Sequence, residues 1–279
     1  RHRAPAGAVK GARAMTSNGS QLPPQAIAAD GLHLSFDGRT QVLDNIALQV
    51  AEGEFVSLVG PSGCGKTSLL NLCAGLVAHT GAGTLRVLGE APRLGSSRVG
   101  YMLARDSLLP WCTALENAAF GARVRGVGTA DSTERALRML QEVGLADHAQ
   151  ALPKALSHGM RQRTALARTF ALDAQLLLMD EPFGALDAQT KLQLQDLLLR
   201  LCQQHRHSVL FVTHDLAEAV AVSDRVVVMS SRPGRIIADL PIDLPRPRSI
   251  RDLQKSPRFH ELYAALWSQL ESGWVHHEG

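Results

Sequence analysis

Short apolar runs divided by glycines and helix signals set the rhythm of this chain. Phe55-Val56-Ser57-Leu58-Val59, Val99-Gly100-Tyr101-Met102-Leu103, Leu176-Leu177-Leu178-Met179 and Val209-Leu210-Phe211-Val212 are short and nearly continuous in apolar residues. Such runs predict strands buried on both faces, as in a parallel sheet. Leu32-His33-Leu34-Ser35-Phe36 and Thr84-Leu85-Arg86-Val87-Leu88 alternate instead. Residues 27–55 and 83–90 therefore predict a small antiparallel sheet. Ser68 to Ala74 has an apolar face at helical spacing, and Gly75 is placed to stop it. Residues 105–160 are rich in helix signals. Thr113-Ala-Leu-Glu116 and Asp131-Ser-Thr-Glu134 both have the form of a capping box, as does Asp215-Leu-Ala-Glu218. Ser157 is an N-cap for a helix through Arg161, Leu166 and Phe170. After a Pro- and Arg-punctuated stretch from Pro241 to Pro257, Phe259 to Trp274 predicts an amphipathic helix. Leu262, Leu266, Trp267 and Leu270 fall on its packed face.

Chemistry gathers where the apolar runs end. Gly60-Pro61-Ser62-Gly63-Cys64-Gly65-Lys66-Thr67 matches the phosphate-loop pattern at each fixed position, between a predicted strand and a predicted helix. Glycines there let backbone N–H groups turn toward phosphates, and the helix N-terminus adds partial positive charge. Lys66 is expected to reach the β- and γ-phosphates, and the Thr67 hydroxyl to ligate Mg²⁺. Ser62, Gly63, Cys64, Gly65 and Ser68 are expected to offer mainly backbone N–H groups. Asp180-Glu181 closes the run at 176–179, which is where ligands collect in an open parallel sheet. Asp180 is expected to hold Mg²⁺ through a water and Glu181 to polarise the attacking water. Thr213-His214-Asp215 follows the run at 209–212, and His214 there is placed to hydrogen-bond a γ-phosphate.

Leu156-Ser157-His158-Gly159-Met160 resembles the Leu-Ser-Gly-Gly-Gln signature of ATP-binding cassette (ABC) proteins, keeping the Ser and the second Gly. The resemblance covers most of residues 27–248. Phosphate loop, signature, acidic strand end, Gly184-Ala185-Leu186-Asp187 as the D-loop and His214 as the switch histidine follow in the family's order. Leu108-Leu109-Pro110-Trp111, Gly159-Met160-Arg161-Gln162-Arg163 and Arg232-Pro233-Gly234-Arg235 look like the ATPase subunits of nitrate, sulfonate and taurine importers. The resemblance implies an α/β fold: a P-loop NTPase (RecA-like) core with a small antiparallel β lobe and an α-helical lobe. It implies two subunits packed head to tail around two ATP molecules. Ser157, Gly159 and Asp187 of one subunit would then act at the other's nucleotide, with Phe36 stacked on adenine. An integral membrane permease, served by an extracytoplasmic solute-binding protein, completes the implied assembly at the cytoplasmic face of the cell membrane. One position departs from the family. Counting back from Leu108 puts Ala104 where the family carries a Gln that touches Mg²⁺ and the attacking water. Slower hydrolysis, or partial replacement by Arg105 or Asp106, is the expectation; the alternative is that the Gln is dispensable because Glu181 and His214 do the chemistry.

Composition limits the alternatives. No apolar run approaches the ~20 residues of a membrane helix, so the chain is not itself the pore. The formal charge is +3, and Arg1, Arg3, Lys10 and Arg13 lie in an acid-free opening stretch. The basic balance belongs to that stretch and does not point to nucleic acid. The four cysteines form no C-x-x-C pair, which suggests a reducing compartment. Residues 1–25, rich in Ala, Gly, Arg and Pro, read as a disordered or appended tail, 26–245 as the ATPase domain with its helical lobe at about 105–160, and 246–279 as a C-terminal linker and helix. Two other functions stay open on sequence alone: a non-transport soluble ABC ATPase, and a weakly active nucleotide-binding regulatory subunit.

Overall fold

The computed structural model describes residues 24–275 apart from 37, 80 and 185; most of the expected tail thus lies outside the described residues. Pro24 and Gln25 are not part of that tail and belong to the fold. The Pro24 carbonyl accepts the Glu52 N–H at 2.8 Å, and Gln25 opens the first strand.

β1 (Gln25–Ser35) and β2 (Gln41–Ala51) pair antiparallel. The chain then enters β3 (Phe55–Val59), buried throughout, and passes through the phosphate loop into α1 (Lys66–Cys73). β4 (Thr84–Val87) returns to β1 and completes a three-stranded antiparallel sheet in the order β2-β1-β4. β5 (Val99–Met102) leads to a helical lobe of α2 (Ala114–Val124), α3 (Thr129–Glu142) and α4 (His158–Phe170). Strand and helix then alternate through β6 (Leu176–Asp180), α5 (Ala188–His205), β7 (Ser208–Val212), α6 (Leu216–Val222) and β8 (Arg225–Met229). β9 (Ile236–Pro241), the short α7 (Ile250–Leu253) and α8 (Pro257–Val275) follow.

The second sheet runs β5-β6-β7-β3-β8-β9 and is parallel except at β9. Its strands read as unbroken apolar runs because both faces are covered. Leu177, Met179, Val209 and Phe211 pack into a core with α2 to α6 and α8. Leu176, Leu178, Leu210 and Val212 pack into another with α1 and the antiparallel sheet. Neighbouring residues of one strand thus serve different cores.

Of three local signals, one holds and two resolve differently from the sequence pattern. The Thr113–Glu116 capping box is present, with the Thr113 N–H donating to Glu116 Oε2 at 2.7 Å. Asp131-Ser-Thr-Glu134 is not a box. α3 starts earlier, capped by Gly128, because buried Ser132 turns inward and donates to the Thr129 carbonyl at 3.0 Å. Asp131 then lies in the first turn, where its charge favours the helix dipole. On α8, Leu262, Leu266, Leu270 and Phe259 are buried, but Trp267 is 43% exposed. It follows Leu266 by one residue, about 100° around the helix, and its indole N–H reaches Glu271 at 2.8 Å.

Candidate functional site

The sheet register brings the site together. Leu58 of β3 and Asp180 of β6 both stand opposite Val212 of β7, so the C-terminal ends of three adjacent strands are level. The phosphate loop, Asp180-Glu181 and Thr213-His214 emerge from those ends side by side. This is the edge of an open parallel sheet at which ligands bind.

At the floor, Lys66 is 7% exposed and its ammonium donates to the carbonyls of Gly60 at 2.7 Å and Pro61 at 2.9 Å. Those bonds hold the loop closed around the lysine and point its charge at the cleft. Gly65 caps α1 with φ 105° and no side-chain cap. The first N–H groups of the helix are thus left to an anion. Cys64 is buried, and burial pushes its thiol pKa up, which suits a filler and not a nucleophile. A cleft of about 320 Å³ opens above, lined by Phe36, Ser62, Gly63, Gly65, Lys66, Thr67, Ser68 and Glu181, with Val42 and Arg232. Phe36 is 64% exposed, so it is no core residue; its ring is presented at the cleft wall.

The acidic side of the cleft brings two oxygen donors together. The Thr67 hydroxyl donates to Asp180 Oδ1 at 3.1 Å. Burial raises the Asp180 carboxyl above the ordinary carboxylate range, partly offset by that hydrogen bond. A desolvated carboxylate beside a hydroxyl offers two hard oxygen donors, the set that Mg²⁺ takes when phosphates and waters supply the rest. Among the described residues no cluster of three or more His, Cys, Asp or Glu could hold a metal unaided.

Glu181 sits at φ +44°, a left-handed conformation that costs a non-glycine residue about 1–2 kcal/mol. Its N–H donates to Val212 O at 2.9 Å and its carbonyl accepts from Gly184 at 3.2 Å, which hold the turn. The strained turn directs the carboxylate off the strand end to His214, whose Nδ1 lies 3.1 Å from Glu181 Oε2. Since a carboxylate accepts, Nδ1 carries the proton of that bond. A carboxylate fixed by an imidazole and open to solvent on its other side can take a proton from water.

Ser157, Gly159 and Asp187 form a second group. Ser157 caps α4, accepting the Met160 N–H at 3.2 Å. Gly159 lies against the start of α5, where a Cβ would come within 2.9 Å of Thr190 Cγ2. The Thr190 N–H is itself capped by Asp187 at 2.9 Å. This group is absent from the lining of the phosphate-loop cleft.

Ala104 lines a different cavity, of about 230 Å³, with Arg105, Asp106, His158, Arg161, Gln162, Pro182 and Leu186. Asp106, one of the two residues expected to stand in for the missing Gln, is engaged elsewhere. The Asp106 carboxylate is paired with Arg161 at 3.0 Å, and its carbonyl accepts from Arg168 at 2.8 Å. Asp106 therefore ties its loop to α4 rather than to Thr67 and Asp180.

The ABC transporter family model matches residues 43–184 of this chain. The chain belongs to the ABC transporter family. The matched span includes the phosphate loop, the signature and the acidic strand end. An aliphatic sulfonates import ATP-binding protein of Xanthomonas axonopodis pv. citri is 45% identical over 249 residues, 87% of this chain and 98% of the relative. One of Burkholderia cenocepacia is 43% identical over 242 residues, 85% and 88% of the two chains. An uncharacterised ABC transporter ATP-binding protein of Bacillus subtilis is 40% identical over 242 residues, 86% and 92%. As an ABC ATP-binding subunit the chain is an ATPase that serves transport. Among the described residues, no helix is long and apolar enough to cross a membrane.

Two features of the site escaped the sequence pattern. Glu218 does not return to its own helix cap: Asp215 caps α6, accepting the Glu218 N–H at 3.1 Å, but the Asp215 N–H donates to Thr213 Oγ1. The Glu218 carboxylate is buried, bonded to Gln195 at 3.0 Å and to the Thr213 hydroxyl. Arg232 is the other, since nothing in its spacing marked it for the cleft wall.

Proposed function

We propose that this chain is the ATP-hydrolysing subunit of an importer for an aliphatic sulfonate or a related small solute of the nitrate and taurine type. The observation that carries the solute class is the 45% identity to a sulfonate import protein over 98% of that relative's length. In this reading the chain works as a dimer, peripheral at the cytoplasmic face of the cell membrane. An integral permease lies above it, and an extracytoplasmic binding protein delivers the solute.

The residue roles follow from the cleft. Lys66 and the open N–H groups from Gly65 to Ser68 hold the β- and γ-phosphates, and Phe36 stacks on the adenine. Thr67 and Asp180 hold Mg²⁺, which when bound neutralises phosphate charge and orients the γ-phosphoryl group. Glu181 takes the proton of the attacking water, and His214 keeps that carboxylate in position. Ser157, Gly159 and Asp187, standing apart from the cleft, complete the site of the second subunit.

The solute class is tested by deleting the gene and measuring growth with single sulfur or nitrogen sources. Loss of growth on alkanesulfonates, restored by the intact gene, is the expected result. Unimpaired growth on sulfonate, taurine and nitrate would refute it. A second expectation concerns Ala104. Alanine has no polar group to ligate a metal or orient water, and Ala104→Gln is expected to raise ATP turnover several-fold in the permease complex. Unchanged turnover and unchanged transport coupling would show that the position does not limit activity.

A further inference from the structure

The loop after β8 supplies a wall of the nucleotide cleft. Its backbone is seated directly on the phosphate loop: a Cβ at Gly234 would stand 2.1 Å from the Cys64 carbonyl oxygen, so only glycine fits. The Gly234 N–H donates to Val42 O at 2.9 Å, and its carbonyl accepts the Asp44 N–H at 3.0 Å. Arg235 closes the clamp, donating through Nε to Asp44 at 2.7 Å, while the Arg235 N–H reaches Ser230 Oγ at 3.0 Å. With the loop so fixed, the Arg232 side chain lines the cleft alongside Phe36, Val42, Ser62, Lys66 and Glu181.

Charge and position define what Arg232 does there. Among the described residues, Lys66 and Arg232 are the two basic side chains on the cleft wall, and they enter from different elements. Lys66 lies deep, bonded to carbonyls of the phosphate loop. Arg232 is carried by a loop pinned to Val42 and Asp44 at the start of β2. That strand begins just past the turn carrying Phe36, and Phe36 and Arg232 line the same cleft. A guanidinium offers planar donors suited to phosphate oxygens. We propose that Arg232 contacts the nucleotide at its base-side end, donating to the α-phosphate, while Lys66 serves the outer phosphates. This inference rests on the reading of the cleft as the ATP site.

Calorimetric titration of ATP and ADP into the wild type, Arg232→Ala and Arg232→Lys tests it. An α-phosphate contact is common to both nucleotides. Arg232→Ala is therefore expected to weaken ATP and ADP alike, by about tenfold, the loss of a charge-assisted hydrogen bond at a partly open site. Arg232→Lys is expected to recover part of the loss, since it keeps the charge without the planar fork. Thermal unfolding checks the fold, because the backbone bonds of Gly234 and the Arg235–Asp44 pair remain in both variants. Unchanged affinity for both nucleotides in Arg232→Ala would overturn the proposal, and so would a loss confined to ATP, which would move the contact to the γ-phosphate. Failure of the wild type to bind either nucleotide would instead sink the reading of the cleft itself.

Discussion

Glu181→Gln is expected to lower ATP turnover by about 10²- to 10⁴-fold, the usual contribution of a positioned general base. The substitution keeps the shape of the side chain and removes the ability to accept a proton. The amide is still able to accept from His214 through its oxygen, so the 3.1 Å contact and the turn at φ +44° survive. Lys66, Thr67 and Asp180 are untouched, so ATP affinity is expected to change little. Bound ATP then persists, and a dimer held by uncleaved nucleotide is expected to accumulate. Phosphate release measures the first effect, and size-exclusion chromatography with and without ATP the second. Wild-type turnover in the variant would remove Glu181 from its proposed role. Loss of turnover together with loss of ATP binding would mean a damaged cleft rather than a missing base.

The same site shows which parts of the molecule its sequence expresses. The strands of the parallel sheet were legible because both faces are buried, which makes runs such as Leu176 to Met179 continuous. The phosphate loop, Asp180, Glu181 and His214 were legible because each follows such a run directly, and parallel pairing brings those ends level. Finer matters depended on packing that no local pattern carries. Trp267 differs from Leu266 by one step around α8, and only the placement of that helix on α6 and β8 decides which is covered. Asp131 and Thr113 head similar four-residue patterns, yet the inward turn of Ser132 starts α3 before the former. Arg232 reaches the cleft because β8 lies beside β3, a neighbourhood set by strand order. Glu218 reads as half of a helix cap, while its partners Lys191 and Gln195 come from α5, a helix and a strand earlier in the chain.

That buried group gives the second large effect: Lys191→Met is expected to destabilise the fold by about 3 kcal/mol, the scale of breaking a buried ion pair by removing one partner. Lys191 Nζ lies 2.6 Å from Asp215 and 3.7 Å from Glu218, whose side chain is 3% exposed. Burial raises the Glu218 carboxyl above its ordinary range, and the Lys191 charge is the main influence pulling it back. Asp215 is also subject to burial, but its bonds to Lys191 and the Glu218 N–H bring its carboxyl below the ordinary value. The two acids give opposite pH signatures. A carboxylate raised in the fold destabilises when ionised, so stability falls as pH rises from its unfolded to its folded pKa. Removing Lys191 raises Glu218 further and extends that window upward. Asp215 contributes stability above its unfolded pKa of about 4, lost only as pH falls below it, so its share of the deficit is the same at pH 5 and pH 8. The deficit of Lys191→Met is therefore expected to be larger at pH 8 than at pH 5, measured as the shift in urea midpoint. Adding Glu218→Gln removes the buried charge, and the double variant is expected to recover much of the loss and to lose the pH dependence. A single-variant deficit that is equal at both pH values, or unrelieved by Glu218→Gln, would show that the lysine acts through its packing and not through the charge it compensates.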